Sequence, residues 1–167
     1  QKAGASGIEI SGVGGTSWSA VEYHIAKEVG KKEMEYLGQA LWNWGIPTAI
    51  SVIETSNKTN LEIIASGGLR TGVEVVKSIA LGASLGGMAK PFLEKAVEGR
   101  EVLSDHIDHI LREIKVVMFL VGAKNVHELG NVPVVVLGRT AEWLKRRGFD
   151  VAEYVTQIGR ASCRERV

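Results

Sequence analysis

The apolar positions of the chain fall into two patterns, short continuous runs and helical spacings. Residues 7–10, 61–65 and 83–89 form short apolar runs that predict strands. Residues 73–81 repeat apolar positions at i, i+3, i+4 and i+7, which predicts a helix lying on a sheet. Strands that are almost continuously apolar and that alternate with helices predict a parallel α/β sheet, with the third strand covered on both faces.

Helical patterns are also found outside these three units. The expected helices are residues 20–29, 31–44, 91–98, 102–121, 125–129 and 140–147, with residues 1–6 as the end of a preceding helix. Residues 46–53 are ambiguous, because their β-propensity also permits a strand. Pro47 suits a first helical turn, and a strand here would break the alternation of strands and helices. We therefore predict a buried helix.

Glycine-rich loops follow the second and third predicted strands. Ser66-Gly67-Gly68-Leu69-Arg70 ends the second, and Gly86-Gly87-Met88-Ala89-Lys90 ends the third, just before Pro91. Such loops leave backbone N–H groups pointing outward with no side chain in the way, an arrangement that binds phosphate. Barrels of the (β/α)8 type build a phosphate site after strands seven and eight. The pair of loops predicts this end of a barrel, holding a phosphorylated cofactor or substrate.

Composition narrows the class of protein. The chain has 167 residues, of which 45% are hydrophobic and 23% charged, as in a soluble globular domain. A net charge of +1 gives no reason to expect nucleic acid as a partner. The single cysteine argues against a disulfide framework and predicts a cytoplasmic protein. The sequence predicts no membrane span and no signal peptide. A whole barrel needs about 250 residues, so we expect a piece of a larger protein.

The end of the chain departs from these patterns. Residues 158–167 have no periodicity and no apolar face, and they resemble the translation of a sequencing-library adapter. We therefore expect a non-native tail, with the domain itself covering residues 1–157. The alternative is a basic, disordered C-terminus.

Five motifs taken together resemble the type 2 isopentenyl-diphosphate isomerases, FMN-dependent (β/α)8 enzymes of isoprenoid biosynthesis. The motifs are Glu9-Ile10-Ser11-Gly12-Val13-Gly14-Gly15-Thr16-Ser17-Trp18, Trp44-Gly45-Ile46-Pro47-Thr48-Ala49, Ser66-Gly67-Gly68-Leu69-Arg70-Thr71-Gly72, Ala80-Leu81-Gly82-Ala83 and Gly87-Met88-Ala89-Lys90-Pro91. The similarity extends to about Asp150. It implies that the chain is the C-terminal portion of the barrel, strands six to eight with their helices.

The resemblance also implies cofactor-binding residues. They are Ser11, Thr16, Gly67, Gly68, Leu69, Arg70, Ala89 and Lys90. The first two would hydrogen-bond the flavin or its phosphate, and the backbone N–H groups of residues 68–70 would hold the phosphate. Ala89 and Lys90 would complete that grip, with Arg70 and Lys90 as charge partners. For residues 11–16 the alternative is a tight turn that needs glycine geometry.

The function implied by the resemblance belongs to the full-length parent. Reduced FMN would isomerise isopentenyl diphosphate to dimethylallyl diphosphate, with NAD(P)H as the reductant and Mg²⁺ on the diphosphate. The family's flavin-contacting lysine on strand five and its Gln-Glu pair for Mg²⁺ cannot be placed in this chain, and we assign no catalytic residue. The parent is expected to be a homo-oligomer, and the isolated fragment to be inactive.

Two other flavin barrels share the phosphate loops. The α-hydroxy-acid oxidases have a Ser-Asn-His-Gly-Gly-Arg-Gln loop, but this chain has no histidine to act as the base between residues 11 and 17. The glutamate synthases have an Asp-Gly-Gly-Thr-Gly loop, where this chain has Val13 for the acid and Ser17 for the last glycine. An inert fragment is a third alternative, because three strands leave both sheet edges unpaired.

Other polar residues are weaker candidates. Two histidines one turn apart in residues 105–109 could indicate a metal site, but the neighbouring isoleucines form the apolar face and leave them on the solvated side. Glu22 and Glu54 have no identifiable partner. Arg147 and the basic residues before it are predicted to be solvated side chains at the C-terminus of a helix, where they complement its dipole.

Overall fold

Three parallel strands form the sheet in a computed structural model that describes residues 2–156. They are β1 (Gly7–Ser11), β2 (Glu62–Ser66) and β3 (Leu85–Gly86), in the order β1-β2-β3. β1 pairs with β2 along its whole length and places Ser11 beside Ser66. β3 pairs with only two residues of β2. The carboxyl ends of all three strands therefore lie at one edge of the sheet.

Seven α-helices and two 3-10 helices accompany the strands in the described part of the chain. They are α1 (Trp18–Glu28), α2 (Lys32–Ala40), α3 (Thr48–Ser56), α4 (Gly72–Ala80), α5 (Lys90–Glu98), α6 (Arg100–Leu120), α7 (Gly138–Arg146) and the 3-10 helices Val126–Asn131 and Val151–Tyr154. Within residues 2–156, none of these helices has the length and apolar character needed to cross a membrane. The order of elements confirms the predicted α/β class.

One face of the sheet carries the core. Ile10, Ile63 and Ala65 point to this face and are buried under α3 and α4. Glu9 and Leu85, on the other face, are exposed. The prediction that the third strand is covered on both faces is therefore wrong for the described residues, since the side chain of Leu85 is 59% exposed. An apolar run favours burial, but in residues 2–156 this face is left open at Leu85.

The ambiguous segment at residues 46–53 is a helix, as predicted. α3 begins at Thr48, directly after Pro47, and buries Ile50 and Ile53 completely or nearly so. Ile46 is held in place because its carbonyl accepts a hydrogen bond of 2.9 Å from the Val13 N–H. α3 thus begins beside the loop that follows β1.

Most boundaries differ from the prediction by one to three residues, and three segments differ in a way that changes the structure. Residues 2–6 are turn and irregular backbone, not the end of a helix, and Gly4 has a φ of +88°, which a right-handed helix excludes. α2 ends at Ala40 rather than residue 44, and β3 is two residues long rather than seven. The expected tail, residues 158–167, lies outside the described residues.

A salt bridge joins α3 to the C-terminal segment. The carboxylate of Glu54 accepts hydrogen bonds from Arg147 Nε at 3.1 Å, from Arg147 Nη2 at 3.0 Å and from Trp143 Nε1 at 3.2 Å. These bonds, with that of Arg147 the strongest, lower the pKa of Glu54. The prediction that Arg147 is only solvated is wrong, because a partner 93 residues away in sequence holds it.

Candidate functional site

A cleft of about 750 Å³ opens at the carboxyl ends of the three strands. Its walls come from the loop after β1, the loop after β2 and the start of α5. All eight predicted cofactor-binding residues line it, namely Ser11, Thr16, Gly67, Gly68, Leu69, Arg70, Ala89 and Lys90. The structure therefore brings together residues that are 79 positions apart in sequence at their extremes, counting from Ser11 to Lys90. Their role in binding remains a prediction.

The two glycine loops pack backbone against backbone. Gly67 and Gly68 have φ values of +95° and +94°, and a Cβ atom at either position would lie 2.2 Å from the backbone of Gly12 or Gly14. Side chains do not fit at that distance. Gly67 and Gly68 are therefore required for the two loops to approach each other this closely.

Two side-chain hydroxyls fix the positions of these loops. Thr48 Oγ1, at the start of α3, donates a 2.5 Å hydrogen bond to the Gly67 carbonyl. Ser66 Oγ donates a 2.9 Å bond to the Ile10 carbonyl, across the pair β1 and β2. This contact of Thr48 was not predicted from the sequence, because its partner lies 19 residues away and no local motif indicates it.

The backbone N–H groups of the second loop divide into two sets. Those of Gly67, Gly68 and Leu69 donate to no acceptor within residues 2–156. The Arg70 N–H, in contrast, donates to Glu74 Oε2 at 2.6 Å, and the Thr71 N–H to the same oxygen at 3.1 Å. In this structure the first set can therefore bind an anion, whereas the Arg70 amide is already occupied.

The Arg70 side chain lies across both loops. Its Nη1 donates to the Gly68 carbonyl at 3.0 Å and its Nη2 donates to the Gly14 carbonyl at 3.2 Å. The guanidinium therefore links the loop after β1 to the loop after β2, and its positive charge lies at the wall of the cleft. Arg70 acts here through its side chain rather than its amide.

Two carboxylates close the N-terminus of α4. Thr71 and Glu74 form a reciprocal capping box, and Glu113 of α6 accepts a 2.6 Å hydrogen bond from the Gly72 N–H. A Cβ at Gly72 would lie 2.5 Å from the Ile110 carbonyl, so the glycine lets α6 approach this closely. The Thr-x-x-Glu spacing could have indicated the capping box from the sequence, whereas Glu113 is 41 residues away and could not be found this way.

The N-terminus of α5 is open by comparison. Ala89 precedes it without a side-chain cap, and Pro91 stands in its first turn. The N–H groups of Ala89 and Lys90 donate to no acceptor in the described part of the chain. Since a helix N-terminus attracts negative charge, this end of the cleft complements the free amides of residues 67–69.

Among the other residues that line the cleft are three whose side chains were not predicted to bind a ligand. Glu9 shares a face of β1 with Ser11, and the period-2 alternation of a strand could have indicated it. Glu94 follows Lys90 by one turn of α5, and its Oε1 is 3.6 Å from Lys90 Nζ. The side chain of Trp18, the first residue of α1, is 72% exposed at the cleft.

The histidine pair of α6 shows no metal-site geometry. His109 Nε2 is 3.1 Å from Glu113 Oε1, and the His106 ring packs edge-on against Phe92 with a centroid distance of 5.9 Å. Residues 2–156 contain no group of three or more His, Cys, Asp or Glu side chains that could hold a metal ion.

Comparison with known proteins shows the family to which this chain belongs. The model of the FMN-dependent dehydrogenase family matches residues 1–135. The chain belongs to this family. It is 47% identical over 154 residues to an isopentenyl-diphosphate delta-isomerase of Methanosarcina barkeri, covering 92% of this chain and 42% of that protein. It is 52% identical over 154 residues to the enzyme of the same name from Pyrococcus furiosus, covering 91% and 38%. These relatives confirm the resemblance carried by the motifs.

The chain spans about two fifths of the length of these relatives. Among solved structures, it superposes on a flavocytochrome b2 variant with sulfite bound at a TM-score of 0.50 and 22% identity. That match covers 86% of this chain and 41% of the other. It supports the α/β fold of the family.

The cleft fits the cofactor that gives the FMN-dependent dehydrogenase family its name. FMN ends in a phosphate that needs several donors and no bulky side chain nearby. The free amides of residues 67–69 and the open N-terminus of α5 supply such donors. A volume of about 750 Å³ lies within the range of small-molecule sites.

Proposed function

We propose that this chain is the FMN-phosphate-binding part of an isopentenyl-diphosphate isomerase, formed by strands six to eight of a (β/α)8 barrel. One observation carries the proposal. Two sets of backbone amides without an acceptor in residues 2–156, at residues 67–69 and at the start of α5, belong to residues that line one cleft at adjacent strand ends. The identity of 52% to the Pyrococcus furiosus isomerase supports the choice of enzyme within the family.

The proposed binding mode assigns a task to each part of the cleft. Gly68 and Leu69 donate their N–H groups to the phosphate from one side, and Ala89 and Lys90 donate theirs from the other. Ser11 and Thr16, on the loop after β1, offer hydroxyls to the flavin or its phosphate. Arg70 keeps the two glycine loops in register through the carbonyls that it binds.

FMN in its reduced form would supply the proton transfer that moves the double bond of isopentenyl diphosphate and yields dimethylallyl diphosphate. The residues of this chain would hold and orient that cofactor. The proposal includes Mg²⁺ on the substrate diphosphate and NAD(P)H as the reductant. We assign no metal ligand to residues 2–156, which contain no suitable cluster.

A hydroxy-acid oxidase fits the cleft less well. Oxidation of a hydroxy acid needs a base at the loop after β1, where this chain has Val13. The Val13 backbone is tied to Ile46, and its side chain packs on Gly45. The loop therefore supports cofactor binding without supplying a proton acceptor at that position.

Flavin titration tests the proposal. FMN and riboflavin, which lacks the phosphate, are titrated by fluorescence quenching against the 167-residue chain. They are also titrated against the same chain joined to the upstream part of the Pyrococcus furiosus enzyme. We expect the joined protein to bind FMN at least tenfold more tightly than riboflavin, and to isomerise isopentenyl diphosphate with Mg²⁺ once the flavin is reduced. A folded joined protein that binds no FMN contradicts the assignment.

A further inference from the structure

The cleft is lined by two acidic and two basic side chains, which differ in the contacts that they make. Glu9 and Glu94 are negative, and Arg70 and Lys90 are positive. Both terminal nitrogens of Arg70 already donate to backbone carbonyls. In the described part of the chain, the only carboxylate within 4 Å of the Lys90 ammonium is that of Glu94, at 3.6 Å, and the two side chains are 77% and 57% exposed. Glu94 therefore stands beside the cation and the open helix end that would receive an anion.

We propose that Glu94 limits the negative charge that the cleft accepts, so that the cleft favours a monophosphate ester over a diphosphate. The carboxylate competes for Lys90 and repels an anion at the N-terminus of α5. This repulsion grows with the charge of the ligand. A monophosphate ester has a charge of about −1.5 to −2 at pH 7, and a diphosphate adds a further negative charge. The inference rests on the proposed function for the identity of the phosphate ligand.

Such selection matters in an enzyme whose proposed substrate is itself a diphosphate. The cofactor phosphate and the substrate diphosphate both seek backbone amides and cations. A carboxylate at the mouth of the cofactor cleft weakens the binding of the more highly charged group there. Glu94 would in this way keep the substrate from competing for the phosphate site.

The substitution Glu94→Gln tests this inference, and α5 provides a matched control. Glu98 lies one turn further along the same helix and pairs with Lys95 at 2.6 Å, away from the residues that line the cleft. Glu98→Gln therefore removes the same charge from the same helix. The full chain, labelled with ¹⁵N, is titrated with inorganic phosphate and with pyrophosphate, and the amide shifts of Gly68 and Leu69 are followed. FMN and riboflavin are titrated by fluorescence quenching.

We expect Glu94→Gln to tighten phosphate binding about threefold to tenfold and pyrophosphate binding by a larger factor. The FMN affinity rises by about the same factor as that of phosphate, and the riboflavin affinity stays unchanged. The effect shrinks as salt is added, because surface charges are screened over about 8 to 10 Å at 0.1 to 0.15 M. Glu98→Gln changes each affinity by less than about twofold.

Three results overturn the inference. Equal effects of the two substitutions would show that the position of Glu94 is unimportant. Equal gains for phosphate and pyrophosphate would show that charge is not selected. Gly68 and Leu69 amides that respond to neither anion, in either protein, would show that the cleft binds none. A charge-selective gain for the inorganic anions without FMN binding supports the inference and contradicts the proposed function instead.

Discussion

Replacing Gly68 with alanine perturbs the contact between the two glycine loops. The backbone at this position has a φ of +94°, which costs an alanine about 1–2 kcal/mol. The new Cβ would lie 2.2 Å from the carbonyl carbon and oxygen of Gly14, where ordinary contacts begin at 3.4 Å. The loops must separate by roughly 1 Å, and overpacking of this kind costs about 1–3 kcal/mol. The expected loss of unfolding free energy is therefore about 2–5 kcal/mol.

Gly148→Ala is the matched control. Gly148 has a similar φ of +80°, but a Cβ there would meet nothing within 4 Å. This substitution carries the conformational cost alone, about 1–2 kcal/mol. The difference between the two variants, about 1–3 kcal/mol, isolates the contact between the loops.

Urea unfolding of the two variants and of the unsubstituted 167-residue chain measures this difference in the free energy of unfolding. Flavin titration adds a second measurement, because a shift of the loop also moves the Gly68 and Leu69 amides. Gly68→Ala should lose at least tenfold in FMN affinity, whereas Gly148→Ala should bind FMN as tightly as the unsubstituted chain does. Free energies of unfolding that agree within about 0.5 kcal/mol for the two variants would refute the reasoning from loop contact.

Three further substitutions, two of them with a control variant, test the packing of the helices. Glu54→Gln should lower the Tm by about 2–4 °C at pH 7. Arg147 lowers the pKa of Glu54 in the folded protein below its ordinary value of 4.5. The ionised Glu54 therefore stabilises the fold fully above pH 4.5, and this stabilisation is lost as the pH falls through the lower pKa of the folded state. The Tm values of the Glu54→Gln variant and of the unsubstituted chain should therefore converge in acid. Leu144→Ala, at a fully buried position, should cost about 2–5 kcal/mol in urea unfolding, and Leu93→Ala, at a 65% exposed one, less than about 0.5 kcal/mol. Glu113→Ala removes the acceptor of a helix N–H and should cost about 1 kcal/mol, with Glu113→Gln costing less because its amide oxygen still accepts.

Each of these expectations has a contrary result. The difference in Tm between Glu54→Gln and the unsubstituted chain could stay the same from pH 7 to acid. That result would show that the charge of the Glu54 carboxylate does not contribute to stability. Equal losses for the two leucine variants would show that α7 does not close the core. Equal costs for alanine and glutamine at position 113 would show that the helix N–H needs no acceptor there.

Local patterns predicted the elements that are bounded by glycine and proline. β1 and β2 lie within one residue of the prediction, because their apolar runs end at glycine loops. Pro47 correctly favoured a helix after it. The third strand was predicted too long because the small residues around Leu85 suit a strand and a loop equally, and only pairing with β2 decides between them.

In the candidate site, too, features set by the local sequence were predicted, and features set by contacts between distant residues were not. The glycine loops after two neighbouring strands were expected to lie together, since parallel strands end at one edge of a sheet. The eight residues implied by the family resemblance all line the cleft that these loops form. The supports of that cleft come from distant parts of the chain. Thr48, Glu113 and the partner of Arg147 depend on how helices pack, which no local spacing encodes. The occupied amide of Arg70 likewise depends on the side-chain conformation of Glu74.

The carboxylate that Glu113 brings to the start of α4 has a consequence for the order of events during protein synthesis. Ribosomes add about 5–20 residues per second, and Glu113 follows Gly72 by 41 residues. The Gly72 N–H is therefore made about 2–8 seconds before its acceptor exists. The loop that precedes α4 gains this support only after α6 has been made and has folded back onto it. Completion of the loop before α4 is thus a late step in the folding of the nascent chain, because it requires residues made 41 positions later.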